Sequence, residues 1–277
     1  MLLGWQTDGR GMLFIGPAGY PPGSKGAVQA VENVQALGLN ALEVQFGRSV
    51  NLSIERAQEL GQRARELNIS LSAHAPYYIN FNSTGENQAK CDKWLLDSLR
   101  VMDACGGRIV VVHAALYMGK SSDDATRAVV SGLKRVRQVV EDEGLRPIIG
   151  LETMGKVGSW GTLDEIAAVM ANVEGVEPVP DFAHIHARGR GCLRTAQDFK
   201  RVLDEALRIH KGRLHCHFSC IEYTDKGEKR HLLLEKKDPD FGHLAKLLPV
   251  AGRDITIISE TPDPSGDAVS MLRMLEG

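Results

Sequence analysis

Short, near-continuously apolar runs alternate along the chain with longer stretches whose apolar residues recur every three or four positions. The runs predict strands over Met12–Ile15, Ala41–Gln45, Ser70–Ala73, Arg108–Val112, Pro147–Leu151, Glu177–Pro180, Arg213–Phe218 and Asp254–Ile258. Strands apolar on both faces are expected where a parallel sheet is buried between helices. The sixth run is the weakest, because it carries Pro178 and Pro180. Between the runs lie helical stripes: Val28, Val31 and Val34, closed by Gly38 as a C-terminal cap; Val129, Leu133, Val136 and Val140; and Phe199, Val202, Leu203 and Leu207. Thr162 with Glu165 reads as a capping box that opens a further helix. Eight strand–helix units without a Pro/Gly-rich linker predict α/β architecture, one closed (β/α)8 TIM barrel over residues 1–277 as a single domain. Residues 1–11 form an N-terminal extension with no assigned role. An open doubly wound sheet is the competing arrangement.

The chemistry-bearing residues fall at the ends of these strands. His74 follows Ile69–Ala73, His113 follows Ile109–Val112, and Glu152 follows Ile148–Leu151. Asp181 follows Val176–Pro180, His217 lies near the end of the seventh run, and Glu260 follows Ile255–Ser259. In this fold the carboxyl ends of the strands converge on one mouth, so six strands each deliver a potential metal ligand to one place. Imidazole and carboxylate are natural ligands for zinc or manganese. A carboxylate can also bridge two ions about 3.5–4 Å apart, as phosphoryl displacement uses them. His215 and His217 share a strand face, and His217, nearer the carboxyl end, is the better ligand. His186, His210, His215 and His243 read as ordinary, and Cys216 and Cys220 as core thiols.

Composition narrows the partners. The 277 residues are 43% hydrophobic and 25% charged, which suits a large globular core. A net charge of −2 leaves no global attraction for nucleic acid, so any such surface must be a local patch. No window approaches the roughly 18 apolar residues of a membrane span, and Met1–Gly11 has no apolar signal-peptide core. No membrane partner is therefore expected. Five scattered cysteines, Cys91, Cys105, Cys192, Cys216 and Cys220, suggest reduced thiols and a cytoplasmic location.

The ordered set of motifs resembles the endonuclease IV family of abasic-site DNA repair enzymes, a branch of the xylose-isomerase-like barrels. The segment His74-Ala75-Pro76-Tyr77-Tyr78-Ile79-Asn80 is similar to its His-x-x-Tyr-x-x-Asn motif. His113, Leu151-Glu152-Thr153, Asp181 with His184, and Glu260-Thr261-Pro262 follow in the family's order. The resemblance implies a zinc centre of two or three ions, with manganese possible, that cleaves the phosphodiester 5′ to an abasic site in double-stranded DNA. It implies His74, His113 and Glu152 around one ion, and Glu152, Asp181, His217 and Glu260 around a second. His184 and His231 would serve a third. Glu152 would bridge and Glu260 would orient the attacking water.

One position departs from the pattern. The family's third ion uses an Asp-x-His pair, whereas Lys229 precedes His231 by two residues here. Either Glu228 or Glu222 supplies the carboxylate, or the site is weak and Lys229 or Arg230 faces phosphate instead. The loop resembles those of archaeal-type members. For DNA contacts, the resemblance and the basic loops point to Tyr77, Asn80, Arg48, Arg188, Arg190, Lys229 and Arg230, with Gln45 at the pocket wall. A monomer is expected.

Two other functions compete. A sugar isomerase or epimerase on the same barrel would need one divalent ion, held by Glu152, Asp181, His217 and Glu260, and would have no ligand role for His74, His113, His184 or His231. A damaged-DNA-binding protein without catalysis would follow if Lys229 empties a metal site.

Overall fold

The computed structural model describes residues 5–6 and 11–276. Eight parallel strands form the barrel: β1 (Met12–Pro17), β2 (Ala41–Gln45), β3 (Ser70–His74), β4 (Ile109–Val112), β5 (Ile148–Glu152), β6 (Val176–Val179), β7 (Leu214–Phe218) and β8 (Ile255–Ser259). Each lies within two residues of its predicted bounds. Helices return the chain between them: α1 (Ala27–Ala36), α2 (Ile54–Leu67), α3 (Glu86–Cys105), α4 (Ser122–Asp142), α5 (Leu163–Met170), α6 (Phe182–Arg188), α7 (Ala196–Ile209), α8 (Phe241–Ala245) and α9 (Pro264–Glu276). Most of the predicted stripe residues face inward: Val31 and Val34 in α1, Val129, Leu133, Val136 and Val140 in α4, and Phe199 and Leu203 in α7 are buried, whereas Val28, Val202 and Leu207 are half-buried. Of the N-terminal extension, Trp5–Gln6 pairs antiparallel with Met12 and Leu13; residues 1–4 and 7–10 lie outside the described residues.

Continuous ladders run from β2 through β6 and from β7 through β8 to β1. The barrel closes at two seams, each mended near the carboxyl end by one bridge: Ala18 to Glu43, and Asp181 to His217. Closure settles the choice against an open sheet.

Both seams have a chemical cause. At β1/β2 the Asn40 amide takes over the ladder, accepting from the Ile15 amide at 2.7 Å and donating to the Leu13 carbonyl at 2.9 Å. Gly16 permits the approach above it, since a Cβ there would lie 1.8 Å from the Ala41 carbonyl oxygen. At β6/β7 the two prolines present their sides without N–H toward β7, so at those two positions the edge can only accept, as Pro180 does from the His217 amide at 3.0 Å. The sixth strand forms despite its prolines because Val176 to Val179 pair with β5 on the other side. A two-stranded hairpin, Cys220–Thr224 with Gly227–Leu232, rises after β7 and docks its tip on Gly155 and Lys156.

Candidate metal centre

The strand order fixes where the ligands stand. His74 and Glu152 end β3 and β5, His217 lies in β7, and His113 and Glu260 are the residues just past β4 and β8. Asp181 is the N-cap of α6, its carboxylate accepting from the His184 amide at 2.8 Å, and His184 sits one turn into that helix. The barrel brings all eight expected ligands together, in three neighbouring groups of which the first two share Glu152.

The first group is His74, His113 and Glu152. Glu152 Oε2 lies 3.1 Å from His74 Nε2 and 2.7 Å from His113 Nε2. The second is Glu152, Asp181, His217 and Glu260, with His217 Nδ1 3.1 Å from Glu152 and 3.4 Å from Glu260. The third is His184, His231 and Glu228. There the two Nε2 atoms are 3.3 Å apart, and Glu228 Oε2 is 3.6 Å from His184 Nε2. Glu152 joins the first two groups.

Glu228 answers the question posed by Lys229. A bulge interrupts the hairpin, pairing Tyr223 with Glu228 but Glu222 with Arg230 and leaving Lys229 as the extra residue. The bulge puts Glu228 and His231, three apart, on one face, where a regular strand would oppose them. Glu222 is not the carboxylate of the centre: it binds Lys229 and, at 2.6 Å, Arg230.

Several imidazoles commit one nitrogen to a carbonyl, which can only accept. His74 Nδ1 donates to the Ala75 carbonyl at 2.8 Å, His184 Nδ1 to Thr153 at 3.0 Å, and His231 Nδ1 to Glu260 at 2.7 Å. The other nitrogen of each is thereby turned inward, as metal-binding histidines usually are. Each faces carboxylate or imidazole and needs a proton or a cation between.

The electrostatics register that need. Burial pushes the Glu152 carboxyl up, but His113 and His217 outweigh it and hold it well below the usual carboxylate range. Burial, with Glu152 and Glu260 nearby, raises Asp181 despite the opposing pull of His184 and His231. For the imidazoles the balance reverses: burial lowers them, yet Glu152 lifts His74 to about 9, Asp181 and Glu152 lift His184, and Glu260, Glu43 and Glu152 lift His217. Protons thus stand in for cations.

The donors present fit divalent ions. Asp181 Oδ2 is buried with no hydrogen-bond partner, His184 Nδ1 being 3.4 Å away and bonded to the Thr153 carbonyl instead, an arrangement that a cation beside the carboxylate would relieve. Mixed imidazole and carboxylate donors at every group suit zinc or manganese.

The expected DNA-contact residues divide. Tyr77 is 54% exposed, beside Tyr78 at 53%, and both line a cavity of about 660 Å³ that opens onto His113 and Glu228. Arg48 and Arg190 are exposed, Arg190 within 3.8 Å of Asp225. Arg188 is held within the protein: its guanidinium is turned onto the carbonyls of Lys156 and Ser159, at 2.7 and 2.8 Å, and onto the Tyr117 hydroxyl at 3.2 Å. It clamps the loop after β5. Asn80 is also spent within the protein, its Oδ1 accepting from the Asn82 and Leu116 amides at 3.1 and 3.2 Å. Arg230 shares the hairpin face of Glu222, away from Glu228 and His231, and both Lys229 and Arg230 are ion-paired there.

Two residues escaped the sequence reading. Glu43 is a lone carboxylate in a buried strand, and His215 reads as an ordinary core histidine; together with His217 they form a further buried group. The only available signal was a charged residue in an apolar run. Gln45, expected at the pocket wall, donates to Glu43 at 3.0 Å.

A family profile described as xylose isomerase-like TIM barrel matches residues 31–276. An uncharacterized protein of Methanocaldococcus jannaschii is 29% identical over 267 residues, covering 95% of this chain and 96% of its own. A protein of Geobacillus sp. (strain WCH70) named Probable endonuclease 4 is 27% identical over 211 residues, 72% of this chain and 68% of its own. Among solved structures, a D-tagatose 3-epimerase-like protein superposes with TM-score 0.71 at 19% identity, covering 94% of this chain and 96% of that one. Endonuclease IV from Thermus thermophilus follows at 0.70 and 22%, covering 95% and 97%. At these identities the two structures show a shared fold. Among the described residues no helix is long and apolar enough to cross a membrane.

Proposed function

Because the chain belongs to the xylose isomerase-like TIM-barrel family, we propose that it is a metal-dependent endonuclease that cleaves the DNA phosphodiester 5′ to an abasic site. The observation that carries this reading is the third ligand group, His184, Glu228 and His231. A sugar epimerase with a single ion has no use for it, nor for His74 and His113. Similarity to a protein named Probable endonuclease 4 supports the same reading.

His74, His113 and Glu152 would hold one ion, Glu152, Asp181, His217 and Glu260 a second, and His184, Glu228 and His231 a third. Such ions supply Lewis-acid polarisation of phosphoryl oxygens and neutralise the charge that builds during displacement. The chain's own groups do the rest. Glu152 and Asp181 are fully buried, whereas Glu260 is 14% exposed at the mouth, where it can orient a water and take its proton. Tyr77 and Tyr78 offer exposed rings against unstacked bases. Lys90 and Lys156, on the same cavity, suit flanking phosphates.

The test is a duplex carrying one abasic site. The metal-loaded protein should nick it on the 5′ side, a strong chelator should abolish nicking, and Glu152→Gln should remove nicking while retaining DNA binding. A metal-loaded protein that leaves the duplex intact overturns the proposal. In that case, turnover of ketoses with one ion per chain points to the epimerase reading, for which Glu152, Asp181, His217 and Glu260 are sufficient by themselves. Binding without nicking points to damage recognition.

A further inference from the structure

The histidines of the centre are not all oriented alike. His74, His184 and His231 each donate to a backbone carbonyl. His217 instead turns Nε2 onto a side-chain carboxylate, Glu43 Oε1, at 3.2 Å, while Nδ1 faces Glu152 and Glu260. An imidazole that offers a lone pair at Nδ1 carries its proton on Nε2, and that proton needs an acceptor. Glu43 is the acceptor, and it is 0% exposed.

The carboxylate is itself held. It accepts from the Ser72 hydroxyl at 3.1 Å, from the Gln45 amide at 3.0 Å and from His215 Nε2 at 2.9 Å. With His217 that makes four donors, which fill the acceptor capacity of a carboxylate. Strand geometry explains the arrangement. His215 and His217 lie two apart on β7, Glu43 and Gln45 two apart on β2, so each pair lines the barrel interior from one strand. With its oxygens already engaged, Glu43 is poorly suited to bind a cation of its own.

We propose that Glu43 is a positioning residue for His217: it fixes the tautomer that presents Nδ1 to the second ligand group, and His215 holds Glu43 in place. The inference rests on the reading of His217 as a ligand, and it concerns metal affinity, so it can be judged apart from DNA cleavage.

The experiment titrates the metal-free protein with Co2+, followed by its visible spectrum and by competition with a chromophoric chelator. Glu43→Gln should weaken one class of ion by about 10–100-fold and leave the other classes unchanged. His215→Asn should weaken the same class severalfold. Affinities within twofold of wild type in both variants overturn the proposal. Loss of one whole equivalent of metal in both variants, with the affinity of the remaining ions intact, also overturns it, because Glu43 would then be a ligand. If neither variant folds, proton–nitrogen correlation spectra of the wild-type zinc form decide. A proton on His217 Nε2 supports the proposal, and one on Nδ1 sinks it. If the metal results hold while abasic DNA is not nicked, the positioning role stands and the nuclease assignment falls.

Discussion

Charged groups in this protein are placed by what they must neutralise. Arg188 shows the rule in a side chain that a basic loop would assign to DNA. Its fork satisfies the Lys156 and Ser159 carbonyls and reaches Tyr117, so its charge is consumed in holding the rim. Arg188→Ala should therefore cost about 1.5–3 kcal/mol of stability, the range for hydrogen bonds to a charged group. The salt dependence of DNA binding should be unchanged. Urea unfolding and a binding isotherm against salt check both halves; a shallower salt slope would return Arg188 to the phosphate-contact set. Glu222 follows the same rule. It is saturated by Lys229 and Arg230, which leaves Glu228 as the hairpin carboxylate able to face His184.

Short motifs survive into elements only where backbone geometry agrees. The Thr162–Glu165 capping box forms as its spacing predicts, each side chain bonding the other's backbone. Its glutamate does more than cap. Glu165 also receives the Gly161 amide at 3.0 Å and the hydroxyls of Ser122, at 2.5 Å, and Tyr117, at 2.7 Å. Burial pushes its carboxyl up, but those donors win and hold it below the ordinary value. A carboxyl depressed in the folded state stabilises above its unfolded pKa of about 4.3 and loses that contribution as pH falls through the folded value. Glu165→Gln should thus be less stable than wild type by about 1 kcal/mol at pH 7, and the gap should shrink as pH falls below about 4.3. Denaturant midpoints across pH test this; a gap independent of pH would mean that the charge contributes nothing. The hairpin gives the opposite lesson. A rule built on residues two apart fails there, because one bulged residue moves the carboxylate from the second to the third position before His231.

Across the entire barrel, closure and chemistry meet at the same places. The two seams are bridged at Glu43 and at Asp181 with His217, all of which lie in the ligand layer. Four carboxylates, Glu43, Glu152, Asp181 and Glu260, stand close together there among imidazoles, and Asp181 Oδ2 accepts no hydrogen bond, with His184 Nδ1 3.4 Å away. Ions bound in the folded state alone stabilise it by mass action. Stripping divalent metal with a strong chelator should lower Tm by about 5–15 °C, and adding Zn2+ or Mn2+ back should restore it. An unchanged melting curve, with no metal lost to the chelator, would show that the centre holds none.

The eight strand–helix units were legible in the chain alone, because apolar period and helix caps act over a few residues. So was the placing of ligand-type side chains at the ends of most strands, which the barrel topology then requires to converge. What a linear reading could not show is who neutralises whom. Glu43 reads as an oddity in an apolar strand until folding sets it against His217, 174 residues away. Glu228, Arg188 and Asn80 likewise take their roles from partners supplied by a bulge, a neighbouring loop and a turn. Period and capping are fixed by covalent neighbours, whereas the pairing of buried charges depends on distances across the barrel that exist only once it has closed.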